Sequence, residues 1–184
     1  MLPAPTQPTP ASPQDFFLGT RTFSEVLVTK SYIEDPETQS QIFTTSLRLP
    51  TAPLFTLLMV HGFTEHSSRH IDFGMLFAKE GGEVLLFDLR GSGHSSGHRF
   101  SASLKQYYQD FLLMISKASK AVPLFIFGHS MGGAIALSFL AKNPNVKVAG
   151  AILSAPFTDI PSYVKMGLLS KLAILALPKV FNVE

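Results

Sequence analysis

The chain has no cysteine in 184 residues. That excludes disulfides and thiolate chemistry, and it fits a reducing compartment. Charge is scarce too. Charged residues make up 15% of the chain, the formal net charge is +2, and there is no long basic run. The composition therefore gives no case for a nucleic-acid partner. No apolar run approaches the ~20 residues of a membrane span. The most apolar late stretch, "MGLLSKLAILALPKV", is broken by Ser170, Lys171 and Pro178. The N-terminus, "MLPAPTQPTPASPQ", has neither the basic start nor the continuous apolar core of a signal peptide. It carries five prolines in thirteen residues and no charge before Asp15. Residues 1–20 are expected to be a disordered, Pro-rich tail. These absences together point to a cytoplasmic protein.

What is present is apolar residue, 46% of the chain, enough for a globular core. Residues 24–33, "SEVLVTKSYI", and 42–49, "IFTTSLRL", are β-branched and partly alternating, with the turn-rich "EDPETQSQ" between them. They predict two antiparallel strands. The texture then changes. "TLLMV" (56–60), "EVLLF" (83–87), "LFIF" (124–127) and "VAGAILS" (148–154) are short apolar runs of the kind buried on both faces. Helical spacing appears between them. Residues 70–80 set Ile71, Phe73, Met75, Leu76 and Phe77 on one apolar stripe. Residues 103–120 carry Leu104, Tyr107, Tyr108, Phe111, Leu112 and Ile115, and residues 131–142 carry Ile135, Leu137, Phe139 and Leu140. The expected fold class is α/β, a mainly parallel sheet led by an antiparallel hairpin. Ligands in such sheets bind beyond the C-terminal ends of the strands.

Three polar or glycine-rich segments follow those strands and would share one edge of the sheet. They are His61-Gly62-Phe63-Thr64-Glu65-His66, then Asp88-Leu89-Arg90-Gly91-Ser92-Gly93-His94-Ser95, then Gly128-His129-Ser130-Met131-Gly132-Gly133. The third has the Gly-x-Ser-x-Gly pattern of a nucleophile elbow, with an apolar strand before it and a helix after it. Gly128 and Gly132 are needed there because strand and helix approach closely. Ser130 is the candidate nucleophile. An acyl-transfer site also needs N–H donors aimed at the oxygen that becomes negative. The candidates are the backbone amides of Met131, after the serine, and of Phe63, after His61-Gly62. The second segment lacks the G-x-G-x-x-G spacing of a phosphate cradle. A tight loop is expected instead, with Asp88 and Arg90 bonding nearby backbone. His61, His66 and His70 do not match standard metal-ligand spacing, and no HExxH accompanies them. Loop hydrogen bonding is expected of them, and no metal.

"HGFTEHSSRH", "DLRGSGHSSG" and "FGHSMGGAIAL", in this order and at these separations, resemble the monoacylglycerol lipase and lysophospholipase branch of the α/β-hydrolases, which includes serine aminopeptidase-like members. "GAILSAPF" resembles the strand that follows the elbow helix there. The resemblance covers roughly residues 42 to 160. It implies an α/β-hydrolase core over residues 21–160, with Ser130 as nucleophile and the Phe63 and Met131 amides as oxyanion hole. His61 and Gly62 would shape the oxyanion loop, and Gly128 and Gly132 the elbow. It also implies a small lipid ester as substrate and no cofactor. Residues 161–184 resemble the start of a cap. Leu168, Leu169, Leu172, Ile174, Leu175 and Leu177 with Lys165, Lys171 and Lys179 could form an amphipathic helix in peripheral contact with membranes.

The catalytic order implied by the resemblance is serine, then acid, then histidine. Residues 131–184 contain no histidine, and their acids are Asp159 and Glu184. Three explanations stay open. The chain is part of a longer hydrolase, truncated before the last strands and within the cap. It is a non-catalytic relative that binds a partner or lipid on the same sheet. Or an upstream histidine, such as His61, His66 or His94, serves as base. On the first, the 184-residue chain alone is expected to be inactive toward esters, because a serine without a base is a poor nucleophile.

Overall fold

The computed structural model describes residues 19–23, 25–99 and 101–158. Their core is a seven-stranded mixed sheet. In chain order the strands are β1 (Gly19–Phe23), β2 (Val26–Glu34), β3 (Gln41–Arg48), β4 (Phe55–Val60), β5 (Gly82–Phe87), β6 (Leu124–His129) and β7 (Gly150–Ser154). Three helices join them: α1 (Ile71–Lys79), α2 (Leu104–Lys117) and α3 (Met131–Lys142). A single 3-10 turn, Ser67–His70, leads into α1. The spatial order is β1-β2-β3-β5-β4-β6-β7. β1, β2, β3 and β5 pair antiparallel in sequence, whereas β5, β4, β6 and β7 run parallel.

Alternation along the buried strands feeds two cores. Leu58, Val60, Leu85, Phe87 and Ile126 face α2 and α3, where Phe111, Met114, Ile135 and Phe139 complete one cluster. Leu57, Met59, Val84 and Leu86 point to the opposite face and pack with Ala78 of α1. These strands read as unbroken apolar runs because both their faces are covered.

Strand order also fixes where a site can form. From β4 the chain moves to β5 on one side, then returns to β6 on the other. The segments that follow β4 and β6 therefore diverge to opposite sides of the sheet's midline. Between them lies the crevice where parallel α/β sheets place their ligands.

Several expectations need correction. The leading hairpin is a three-stranded meander, because β1 pairs with β2 from Gly19↔Lys30 to Phe23↔Val26. The expected tail to residue 20 thus overlaps β1 at Gly19 and Thr20. Residues 1–18, and the cap expected at 161–184, lie outside the described residues. The helix faces also differ from the apolar stripes. α1 buries Gly74 and Ala78, while Phe73 and Leu76 are exposed. A Cβ on Gly74 would lie 2.9 Å from Leu47, so close packing on the sheet selects the small residues. α2 buries Asp110 beside Phe111 and Met114, and leaves Leu104 and Leu112 outside. α3 buries Gly132, Gly133, Ile135, Ala136 and Phe139, with Leu137 exposed. The start of α2 is set by a local sequence signal. Ser103 and Gln106 form a capping box that starts α2: the Gln106 N–H donates to Ser103 Oγ and the Ser103 N–H to Gln106 Oε1.

Candidate active site

Ser130 stands between β6 and α3 with φ 50° and ψ −117°. A side chain other than glycine rarely adopts positive φ, and such backbone costs about 1–3 kcal/mol unless its surroundings enforce it. Here they do. The Ser130 N–H donates to the Ser154 carbonyl at 2.9 Å, and the Ser130 carbonyl accepts from Phe157 N–H at 3.0 Å and Ala134 N–H at 3.1 Å. The end of β7 thus grips the elbow from one side and the first turn of α3 from the other.

Three glycines allow the tight approach. A Cβ on Gly128 would lie 2.7 Å from the Gly133 Cα, so β6 and α3 meet backbone to backbone. A Cβ on Gly132 would collide with the carbonyl oxygens of Val60 and His61, so α3 also rests directly on the end of β4. Gly62 faces the serine itself: its Cβ would sit 3.2 Å from Ser130 Cβ. The structure therefore brings the 61–66 loop and the elbow into contact, and places Ser130 in the crevice at the strand-order reversal.

His61 is 1% exposed and uses both ring nitrogens. The Leu89 N–H donates to Nε2 at 2.9 Å, so Nε2 must be unprotonated and Nδ1 carries the hydrogen. Nδ1–H donates to the Gly62 carbonyl at 2.8 Å. Burial pushes the His61 pKa down, which keeps this neutral tautomer. Holding the Gly62 carbonyl has a consequence one atom further on. In a planar trans peptide, C=O and N–H point in opposite directions, so fixing the Gly62 carbonyl fixes the direction of the Phe63 N–H. With both nitrogens occupied, His61 has none left for a serine. Among the described residues Ser130 Oγ has no hydrogen-bond partner, and the residue is only partly buried.

Two clefts flank the elbow. On the α2–α3 side, an apolar cleft of about 490 Å³ is lined by Leu104, Tyr107, Met131, Ile135, Leu137 and Phe157, among others. On the α1 side, a more polar cleft of about 330 Å³ is lined by Glu65, Arg69, His70, Phe127, His129 and Ser154, among others. His129 Nδ1 lies 3.3 Å from Ser154 Oγ, and its ring is 6.1 Å from that of His70. Met131 begins α3 and faces the apolar cleft. Phe63 is half exposed and does not line that cleft.

The loop after β5 behaves differently. Asp88 is fully buried and accepts from Ser67 N–H at 2.7 Å and His94 N–H at 2.8 Å. Gly93 lies so close to this carboxylate that no Cβ could fit. Arg90, 3% exposed, donates to Asp110 through Nε at 3.1 Å and Nη2 at 2.6 Å, and to Asp35 at 2.7 Å. The expectation that Asp88 bonds nearby backbone fits. For Arg90 it needs correction, because its partners are chiefly two buried carboxylates far away in sequence. Burial pushes the Asp35 carboxyl up, but hydrogen bonds from Thr38, Arg90 and the Glu37 N–H outweigh it and hold Asp35 down to about 2. Asp110 is pushed up, because burial there outweighs Arg90. Among the described residues no group of three or more His, Asp or Glu could hold a metal ion. No helix among them is long and apolar enough to cross a membrane.

A parallel sheet with an antiparallel lead, a strained serine turn and a histidine-braced loop beside it define an α/β-hydrolase core. The chain belongs to the serine aminopeptidase S33 family of that fold, which matches residues 51–182. A monoacylglycerol lipase of Mycolicibacterium smegmatis is 31% identical over 110 residues, covering 58% of this chain and 39% of that protein. The human monoglyceride lipase is 35% identical over 114 residues, covering 58% and 37%. An uncharacterised abhydrolase domain-containing protein of Dictyostelium discoideum is 44% identical over 105 residues, 56% of this chain and 11% of its own length. The chain thus spans well under half the length of these relatives. Among solved structures, the thioesterase domain from the curacin biosynthetic pathway superposes with a TM-score of 0.68 at 23% identity. That match covers 85% of this chain and 54% of the domain. The monoacylglycerol lipase of Paleococcus ferrophilus gives 0.55 at 25% identity, over 83% and 50%.

Proposed function

We propose that this chain carries the nucleophile half of a serine hydrolase acting on carboxylic esters of lipids, with monoacylglycerols or lysophospholipids as the substrate class. One observation carries the reading: Ser130, at positive φ between β6 and α3, is held against Gly62 of the histidine-braced loop. Strain of this kind persists where the surroundings over-determine it, and such positions cluster at active sites. In the proposed reaction Ser130 Oγ attacks the ester carbonyl. The Phe63 and Met131 amides hold the oxyanion, helped by the N-terminal end of α3. The ester alcohol leaves with a proton, and water later releases the acid. The apolar cleft lined by Met131 suits an acyl chain. The cap role of residues 161–184, and its contact with lipid, belong to the same proposal. Vesicle sedimentation that showed no loss of binding in a Leu172→Glu/Leu175→Glu variant would remove that lipid contact.

Proton transfer needs a base. Residues 131–184 supply no histidine, the ring nitrogens of His61 are taken, and His66 and His94 line a separate cleft with Gly91 and Gly93 rather than either cleft beside the elbow. The 184-residue chain alone is therefore expected to turn esters over negligibly. In subtilisin, loss of the triad histidine costs ~10⁶ in turnover. The test is chemical rescue. p-Nitrophenyl butyrate hydrolysis by the purified chain should be near background, and added imidazole should raise it well above the Ser130→Ala control. Robust activity without imidazole would overturn the missing base. Rescue that survives Ser130→Ala would overturn the nucleophile.

A further inference from the structure

Glu65 has no place in the chemistry above, yet its carboxylate is engaged on two sides in the loop beside the elbow. The Gly62 N–H donates to Glu65 Oε2 at 2.8 Å, and His70 Nε2 lies 3.2 Å from the same oxygen. The Glu65 N–H returns to the Gly62 carbonyl at 3.4 Å. Residues 62–65 thus close on themselves through side chain and backbone together, with Thr64 at φ 61° inside the turn. The carboxylate is largely buried, its side chain 16% exposed.

Position gives these contacts meaning. The His61–Gly62 peptide is held through its N–H by Glu65, and the Gly62–Phe63 peptide through its carbonyl by His61. Both peptide planes that lead into Phe63 are therefore fixed, each by a different side chain. Gly62 has no room to drift: a Cβ there would already lie 3.1 Å from Glu65 Oε2 and 3.2 Å from Ser130 Cβ. His70 opens α1. Its contact with Glu65 anchors the brace to the helical layer, which a free loop carboxylate would lack.

We propose that Glu65 is a positioning residue of the oxyanion loop, its carboxylate holding the Gly62 N–H so that the Phe63 amide stays aimed beside Ser130. The proposal rests on the nucleophilic role given to Ser130. Glu65 touches no reacting atom; it acts through Gly62. An acceptor oxygen at this position is what matters, and a proton-transfer role is not required. Glutamine keeps one such oxygen in the same place, and alanine keeps none.

The test uses the 184-residue chain and two readouts. One is the Gly62 amide in ¹⁵N–¹H spectra, by shift and hydrogen-exchange protection. The other is the rate at which a fluorophosphonate labels Ser130 in imidazole buffer. Glu65→Ala should move the Gly62 amide upfield, remove its protection, and slow labelling roughly 10- to 100-fold, the scale of a misaimed or lost oxyanion donor. Glu65→Gln should keep the amide protected and label within about threefold of the parent, since the acceptor is retained. If Glu65→Ala does not fold, the Gln variant still decides. A Gly62 amide that loses its protection in Glu65→Gln, with labelling slowed beyond tenfold, would overturn the brace. So would a Gly62 amide unmoved in Glu65→Ala. Failure of the parent chain to label at Ser130 would sink the hydrolase reading, while the Gly62 amide would still report on the brace.

Discussion

Two glycine-rich loops leave the parallel strands on either side of β4 at the same edge of the sheet, and they do opposite things with their polar side chains. After β6, Ser130 is partly exposed at strained φ, with no partner for its Oγ among the described residues. After β5, Asp88 and Arg90 turn inward and saturate themselves on backbone amides and two carboxylates. Glycines serve both, but for different reasons. Gly128 and Gly132 let backbones touch, whereas Gly93 makes room for a buried carboxylate. The difference teaches that glycine-rich punctuation after a strand does not mark reactivity. What separates the two loops is a hydroxyl with no protein partner among the described residues, held where the backbone is at positive φ.

Removing the polar side chains should affect the two loops very differently. Arg90→Ala strands Asp35 and Asp110 as uncompensated buried acids and should cost about 3–5 kcal/mol in urea unfolding. Ser130→Ala should shift stability by less than about 1 kcal/mol while abolishing imidazole-dependent turnover, since its Oγ supports nothing. Equal losses in the two variants would erase the distinction. Next comes Gly132→Ala. Its methyl has only the Val60 and His61 carbonyls to displace, so overpacking should cost about 3 kcal/mol and slow Ser130 labelling as well. A tolerated alanine would mean the elbow does not rest on β4 as described.

Acid sharpens the other loop. The Asp35 pKa is depressed to about 2, below its ordinary 3.8. Its stabilisation is therefore present above pH ~4 and fades as pH falls toward 2, an effect of about 2 kcal/mol. Asp110, raised by burial, works in the opposite sense, so the readout is differential: Asp35→Asn should flatten the acid limb of stability between pH 4 and 2. An unchanged limb would place the acid sensitivity elsewhere. The smallest effect concerns strain. In urea unfolding, Ser130→Gly should raise stability by up to about 1 kcal/mol, because relief of the positive-φ strain outweighs the extra chain entropy that glycine loses on folding; a loss of stability would mean the turn is not strained.

Much of this was legible in the sequence, and what escaped has a physical reason. The apolar runs at 56–60, 83–87 and 124–127 announced β4, β5 and β6 because both faces of each are buried. The turn from β6 into α3 was legible because its pattern is local: glycine, serine and glycine are neighbours in chain and in space. β1 was missed because "GTRTF" has a single large apolar residue to set against the Pro-rich stretch before it. The Asp35–Arg90–Asp110 triad joins positions 55 and 20 residues apart, so no local pattern encodes it. Leu76 and Leu137 misled because apolar spacing counts side chains, whereas packing on the sheet favoured Gly74, Ala78 and Gly132. The Glu65 contact was within reach, four residues from His61, but only the turn at Thr64 shows which amide it holds.

The proposed role of Ser130 as a nucleophile that awaits a base can be tested on the chain itself. Fluorophosphonate labelling of the 184-residue chain, read by intact mass and peptide mapping with and without imidazole, tests it most directly. The account predicts a single adduct on Ser130, accelerated by imidazole and absent from Ser130→Ala. An adduct that forms elsewhere at the same rate, or a Ser130 that stays unlabelled in imidazole while the chain is folded, would contradict it.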